Sequence, residues 1–243
     1  MQTDLTGLDA LAWEPIRRSL NRRVVVVTSR LLPSKRNRVW AVETDVRPLI
    51  VKLSLAGHAP EEFEALVKAR AAGVDVPYPL FLEGDLVVME YIGGESLERM
   101  VNHLFSTDAA GALGRWLATY HEKLMNKDPD TIMGDAVLSN FKYLDGRVLG
   151  FDLEDSRHGD PLEDVGQAAA AILGSEPFFT PIKFDLCLRL LEGYEAVSGL
   201  EVVESCRPFV AKHLRKATTG KPIYRRGFTQ VADRLEKGWP RLV

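Results

Sequence analysis

Two short apolar runs, Phe141 to Leu144 and Val148 to Phe151, joined by Asp145-Gly146, constrain this chain more than any other feature. Asp-Gly between β-like segments signals a hairpin, because the tight turn it favours needs left-handed backbone at both central positions. Such a hairpin carries Asp135 and Asn140 at its mouth and returns Asp152 to the same end. Singly, each of these residues is ordinarily a turn or cap residue. As a set, two carboxylates and an amide suit a different task. One carboxylate can orient a hydroxyl and accept its proton, while the amide oxygen and the other carboxylate hold a divalent cation against phosphate groups.

The length and composition allow that task. A chain of 243 residues can bury a sizeable core as one domain or two small lobes, and 46% hydrophobic with 27% charged residues is ordinary for a globular protein. A net charge of −3 argues against a globally basic nucleic-acid binder. Cys187 and Cys206 stand in apolar helical contexts without metal-ligand spacing, so burial is expected for both. No apolar run reaches the roughly 18 to 20 residues of a membrane span, and the start of the chain lacks the basic-then-apolar pattern of a signal peptide. The expectation is a cytoplasmic protein without a membrane partner.

The pattern divides near residue 92. An amphipathic helix is expected over Leu5 to Leu20, then strands at Val24 to Thr28, Val39 to Thr44 and Leu49 to Leu55. Lys52 interrupts the last apolar strand, and a buried ammonium there needs a partner. The alternative is a solvent-facing lysine on an edge strand. Pro60 opens a helix running to Ala72, with Glu61, Glu62 and Glu64 in its first turns and Gly73 as its stop. Strands follow at Phe81-Leu82 and Leu86 to Tyr91, and then Ile92-Gly-Gly94 breaks the pattern. Beyond it Leu113, Trp116, Leu117, Tyr120 and Leu124 share one helical face. Further helices are expected from about Leu162, over Lys183 to Val197, Glu201 to Lys216 and Thr229 to Lys237.

This order resembles the protein-kinase-like superfamily, most closely the aminoglycoside and choline phosphotransferases and the small atypical kinases of the RIO and KEOPS type. Leu49-Ile-Val-Lys52-Leu resembles the strand of the phosphate-binding lysine. Glu62-Phe-Glu-Ala-Leu resembles the helix that supplies its glutamate, and Val87-Val-Met-Glu90-Tyr-Ile-Gly-Gly94 resembles the adenine-binding strand and hinge. Leu113 to His121 is similar to the helix before the catalytic loop, Gly134-Asp135 to Asn140 to that loop, and Phe151-Asp152-Leu-Glu-Asp155 to the metal-binding segment. Gly159-Asp-Pro161-Leu-Glu-Asp164 is similar to a signature of the aminoglycoside branch.

The resemblance implies an α+β bilobal fold: residues 1–92 with a five-stranded antiparallel sheet and one helix, and residues 93–243 as a mainly helical lobe. It implies a kinase using ATP and Mg²⁺, with Mn²⁺ as the alternative ion. Lys52 would meet the α/β-phosphates, held by Glu62, with Glu61 and Glu64 as alternatives. Met89 would lie behind the adenine, with the main chain of Glu90 to Ile92 at its edge. Asp135 would be the base, Asn140 and Asp152 the metal ligands, and Asp155 an aid to a second ion. His121 and Asp164 would be structural.

Departures stand beside these matches. The turn segment Ser29 to Asn37 has no glycine, so Ser29, Ser34 and Lys35 would have to supply hydroxyls and charge in place of close backbone approach. Met133 replaces a usual histidine, and Val137 stands where a lysine or histidine often meets the phosphate, with Lys142 nearby in sequence. A catalytically weak nucleotide-binding module therefore remains an alternative. From Ser205 to Ala232 the chain has basic residues and no acidic one, either a solvated face or a surface for RNA or another anionic partner. The acceptor expected is a hydroxyl-bearing small molecule, with protein Ser/Thr as the second reading.

Overall fold

A computed structural model describes residues 25–125, 130–220 and 222–239, together with 15, 16 and 18. The helix expected over Leu5 to Leu20 lies almost wholly outside these. The chain divides into two compact units: residues 1–71, 76–92 and 152–154 form the first, and 72–75, 93–151 and 155–243 form the second.

The first unit is built on β1 (Val26–Leu32), β2 (Asn37–Thr44), β3 (Leu49–Ser54), β4 (Pro79–Glu83) and β5 (Leu86–Glu90), with α1 (Ala59–Ala71) between β3 and β4. The strands pair antiparallel in the order β1-β2-β3-β5-β4. Alternation along β2 and β3 turns Trp40, Val42, Leu49 and Val51 inward, where they pack with Val26, Val88 and Ile16. β3 is thus the central strand, and the edge-strand account of Lys52 fails. β1 runs on to Leu32, so the turn is confined to Pro33 to Arg36, and Ser29 belongs to the strand. The β-branched run Val24 to Thr28 marked the strand but not its end, because Arg30, Leu31 and Leu32 gain their strand geometry from pairing with Ala41, Trp40 and Val39. α1 ends at Gly73, whose φ of +80° is the left-handed stop that glycine accepts most readily.

The second unit is mainly helical: α2 (Leu97–Asn102), α3 (Thr107–Met125), α4 (Pro161–Leu173), α5 (Pro181–Ser198), α6 (Arg207–Ala217) and α7 (Arg225–Leu235). Leu113, Trp116, Leu117, Tyr120 and Leu124 of α3 are all buried. α3 lies unusually close to α5, since a Cβ on Gly114 would stand 1.9 Å from the Leu190 carbonyl oxygen. Short strands β6 (Glu95–Ser96), β8 (Phe141–Leu144) and β9 (Arg147–Gly150) form one small sheet, and β7 (Thr131–Ile132) pairs with β10 (Arg157–His158). The Asp145-Gly146 turn joins β8 to β9 with φ of +49° and +80°, as the dipeptide predicts.

Further boundaries differ from expectation, the last helix among them, which runs Arg225–Leu235 and not Thr229 to Lys237. The second hairpin strand begins at Arg147 and ends at Gly150, because Phe151 leaves the ladder and Asp152 takes a left-handed φ of +64°. The helix expected from Glu201 starts at Arg207 instead. Glu195 Oε1 accepts the N–H groups of Val202 and Val203, which holds that stretch in turns, and Pro208 suits a first helical turn. Cys187 and Cys206 are buried thiols with raised pKa values: burial pushes Cys206 up to about 12. Among the described residues no helix is long and apolar enough to cross a membrane.

Candidate functional site

In the first unit, the site is organised around Lys52. It sits mid-strand in β3, and Nζ lies 2.9 Å from Glu62 Oε2, 2.5 Å from Asp152 Oδ1 and 3.0 Å from Glu154 Oε2. Glu62 comes from the first turns of α1, whereas Glu61 and Glu64 are exposed. The Glu62 contact is a buried ion pair, with side chains 6% and 1% exposed. Burial opposes the charge on Lys52, but attraction to Glu62 and then Asp152 outweighs it, and the ammonium is held above its ordinary pKa.

One ammonium cannot neutralise three carboxylates. Burial, aided by repulsion from Asp152 and Glu154, lifts the Glu62 carboxyl to about 7 against the pull of Lys52. For Glu154, burial works upward, yet Lys52, the Asn37 amide and Arg36 together hold it below its usual value. The Asn37 Nδ2–H donates to Glu154 Oε2 at 2.8 Å, and Asn37 Oδ1 accepts from the Leu55 N–H at 3.3 Å. Glu154 and Asn37 were not anticipated. The available signal was the Asp-Leu-Glu spacing, which puts two acidic residues on either side of the buried Leu153. Glu62, Asp152 and Glu154 offer carboxylate oxygens within 4.8 Å of one another. Hard oxygen donors with excess negative charge fit a divalent cation.

Met89 is buried in β5. The Glu90 N–H donates to the Tyr78 carbonyl at 3.0 Å, which takes that donor out of any adenine contact and leaves the main chain of Tyr91 and Ile92 beyond the strand. Ser34 Oγ accepts from the Asn37 N–H at 3.2 Å and so stabilises the glycine-free turn, whereas the Ser29 hydroxyl is buried within β1 without a hydrogen-bond partner.

In the second unit, Asp135 lies on the loop between β7 and a 3-10 turn, Leu138–Asn140. Gly134 has φ of +80°, and a Cβ there would stand 2.2 Å from the Asp155 carbonyl oxygen, so only glycine fits. Asp164 of α4 braces the loop: Oδ2 accepts from the Met133 N–H at 2.6 Å and Oδ1 from the Gly134 N–H at 2.9 Å. His121 Nε2 meets the same Oδ2 at 2.9 Å, and His121 Nδ1 meets the Tyr194 hydroxyl at 3.1 Å. Asp160 caps α4 by accepting from the Leu162 N–H at 2.9 Å, with Pro161 at the first helical position. The Gly-Asp-Pro-x-x-Asp stretch is thus a helix start plus a loop brace.

Asn140 turns its amide back onto the loop, Nδ2 donating to the Asp135 carbonyl at 2.9 Å and meeting Asp135 Oδ2 at 3.3 Å. Both neighbours are acceptors, so the NH₂ group must face them. This orientation leaves the amide oxygen, a hard donor, as the group Asn140 could offer a cation. Gln167, also unanticipated, donates from Nε2 to Asp135 Oδ1 at 2.9 Å. Asp155 belongs to the second unit and is not a member of the three-carboxylate cluster of the first.

Three residues of the basic stretch form ion pairs. Lys212 pairs with Glu163 at 2.7 Å, Arg215 with Asp233 at 2.7 Å and with Glu236 at 2.6 Å, and Arg207 with Glu204 at 2.8 Å. A run lacking acidic residues in sequence finds them on neighbouring elements, which favours the solvated-face reading.

An antiparallel five-stranded sheet bearing a lysine–glutamate pair, followed by a helical unit with a braced Asp–Asn loop, defines the protein-kinase-like fold. Within it, the chain matches the phosphotransferase enzyme family over residues 29–147, a stretch containing Lys52, Glu62, Asp135 and Asn140. Solved structures agree on the fold. A microcompartment-associated aminopropanol kinase is similar with a TM-score of 0.64 and 16% identity, over 87% of this chain and 92% of that one. An amicoumacin kinase bound to AMP-PNP and Ca²⁺ gives 0.62 and 14%, over 85% and 88%. A choline/ethanolamine kinase family protein from Mesorhizobium loti gives 0.57 and 16%, over 86% and 87%. Among curated proteins none is a significant match.

Proposed function

We propose that this protein is an ATP-dependent phosphotransferase that moves the γ-phosphate to a hydroxyl group of a small molecule, with Mg²⁺ as its ion. The single observation that carries the reading is the buried Lys52 ammonium ringed by Glu62, Asp152 and Glu154. A sheet has no structural need for such a charge-rich centre, and polyphosphate with a divalent ion is a ligand it suits. The family match and the kinases among the structural neighbours support the same reading.

In this reading residues 1–92 form the nucleotide lobe and 93–243 the acceptor lobe. Lys52, charged throughout the physiological pH range, holds the α/β-phosphates in place of part of its carboxylate ring. Asn140, Asp152 and Glu154 would hold the ion, which would supply positive charge against the developing charge on the phosphate oxygens. Asp135 accepts the proton of the acceptor hydroxyl as that oxygen bonds to the γ-phosphorus. The bond from the γ-phosphorus to the bridging oxygen breaks, and its electron pair leaves with ADP. The small-molecule acceptor is favoured over a protein because no long activation segment separates Asp152 from Asp164.

The test is ATP turnover against a panel of amino alcohols, aminoglycosides, sugars and a generic protein substrate, with and without EDTA. Turnover is expected with a small alcohol, lost with EDTA, and reduced by about 10² to 10⁴ in Asp135→Ala with nucleotide binding retained. Nucleotide binding without turnover on any acceptor would support the non-catalytic module instead. Phosphorylation of protein alone would move the acceptor class, and absent nucleotide binding would overturn the proposal.

A further inference from the structure

The loop that carries Asp135 is held from α4 by two side chains one helical turn apart. Asp164 takes the N–H groups of Met133 and Gly134, and three residues later Gln167 takes the N–H of Ala136 on Oε1 at 3.1 Å. Residues three apart lie on one helix face, so the pair forms a short ladder against the loop amides of residues 133, 134 and 136. Gln167 does something Asp164 does not. Its remaining group, Nε2, donates to Asp135 Oδ1 at 2.9 Å.

The direction of this amide is chemically determined. A main-chain N–H on one side demands the carbonyl oxygen, and an anionic carboxylate on the other demands the NH₂. Gln167 is therefore a clamp with one end in the loop backbone and the other on the reactive carboxylate. Asn140 Nδ2 meets the opposite oxygen at 3.3 Å, and both Asp135 and Gln167 are half-buried. A carboxylate hydrogen-bonded on both oxygens by groups that are themselves anchored loses its freedom to rotate about the bond that sets its plane.

We propose that Gln167 is a positioning residue for phosphoryl transfer: it sets the orientation of the Asp135 carboxylate and thereby the approach of the acceptor hydroxyl. This rests on the phosphotransferase reading. The plane of the carboxylate decides where the proton-accepting lone pair points, and small misplacements of a reacting group cost up to about 100-fold in rate. Gln167 contributes no proton and touches no substrate. Its effect therefore falls on kcat, while nucleotide binding in the first unit is untouched.

Two variants separate positioning from mere bracing. Gln167→Leu removes both contacts. Gln167→Glu keeps an oxygen for the Ala136 N–H but replaces the donor facing Asp135 with a second carboxylate. If Gln167 only braces the loop, Glu restores turnover and Leu does not. If it positions Asp135, both variants lose about 10- to 100-fold in kcat, with Glu no better than Leu, while the ATP dissociation constant stays within about twofold. Thermal unfolding midpoints of both variants identify any loss of fold, and Gln167→Glu, the more conservative in size and polarity, carries the test if Leu fails to fold. Wild-type kcat in Gln167→Glu overturns the proposal. Asp135→Ala is run alongside: if it retains full turnover the phosphotransfer reading itself fails, whereas a dead Asp135→Ala with an active Gln167→Glu sinks only the role of Gln167.

Discussion

Lys52→Met should destabilise the first unit more than almost any other single substitution, although it exchanges a charged side chain for an apolar one of similar length. The ammonium stands within 3.0 Å of Glu62, Asp152 and Glu154, whose side chains are 1%, 33% and 6% exposed. Without it, two carboxylates remain buried with no cation in contact among the described residues except Arg36, 3.9 Å from Glu154. Removing one partner of a buried ion pair costs about 3–5 kcal/mol, and that is the loss expected at pH 8. Glu62 then sets the pH dependence. Its folded carboxyl stands at about 7 even with the lysine present, above the ordinary value of 4.5. A raised carboxyl binds its proton in the folded state first, so its contribution is fully present below the unfolded value and is lost as pH rises through the folded one. Lys52→Met, with Glu62 higher still, should therefore regain stability on going from pH 8 to pH 5. Adding Glu62→Gln should restore about 1–3 kcal/mol at pH 8, since the amide carries no charge into the same space. Urea unfolding of wild type, single and double variants at both pH values measures all of this. A loss under about 1 kcal/mol for Lys52→Met at pH 8, or a double variant no more stable than the single one, would refute the account of the cluster.

Lys183 and Asp164 give two further tests. Lys183 is fully buried in α5, hydrogen-bonded among the described residues to Asn102 Oδ1 at 2.7 Å and Ser175 Oγ at 2.9 Å, and burial pushes its pKa down to about 8. A depressed lysine makes the unfolded state the better proton binder between about 8 and 10.5, so wild-type stability should rise over that window. Lys183→Met should be the more stable protein at pH 7 by about 1–2 kcal/mol, after discounting the lost hydrogen bonds, with the advantage gone near pH 10.5. Thermal melts across that pH range check it, and a less stable variant at pH 7 would count against it. Asp164→Asn should cost about 3 kcal/mol and lower turnover, because an NH₂ group must then face a loop N–H or His121; denaturant midpoints and initial rates measure both effects. Unchanged midpoints would mean that the loop is held by something other than Asp164.

Where short-range rules decided the outcome, the amino-acid sequence was sufficient. Asp145-Gly146 dictated a tight hairpin, because few dipeptides accept two left-handed residues in succession. Gly73 stopped α1, Asp160-Pro161 started α4, and the spacing of Leu113, Trp116, Leu117, Tyr120 and Leu124 named the buried face of α3. The strands were legible from their β-branched runs, although their ends depended on partners. Lys52 in an apolar strand demanded acidic company, and three glutamates in the next helix narrowed the choice without deciding it.

That choice belonged to tertiary structure. Helix phase buries Glu62 and exposes Glu61 and Glu64, and phase depends on how α1 packs on the sheet. Glu154 and Asn37 meet at 2.8 Å although 117 residues separate them, a pairing no local pattern records. Gln167 reads as an unremarkable polar residue in a helix until its neighbours across the loop are known. The same holds for Lys212 and Arg215 of the basic stretch, which pair with Glu163, Asp233 and Glu236 from outside it. Turns, caps and helical faces follow from forces acting over a few residues, which the sequence writes out directly. The charge balance of a buried cluster follows from which distant groups share one low-dielectric space, and only the folded chain determines that.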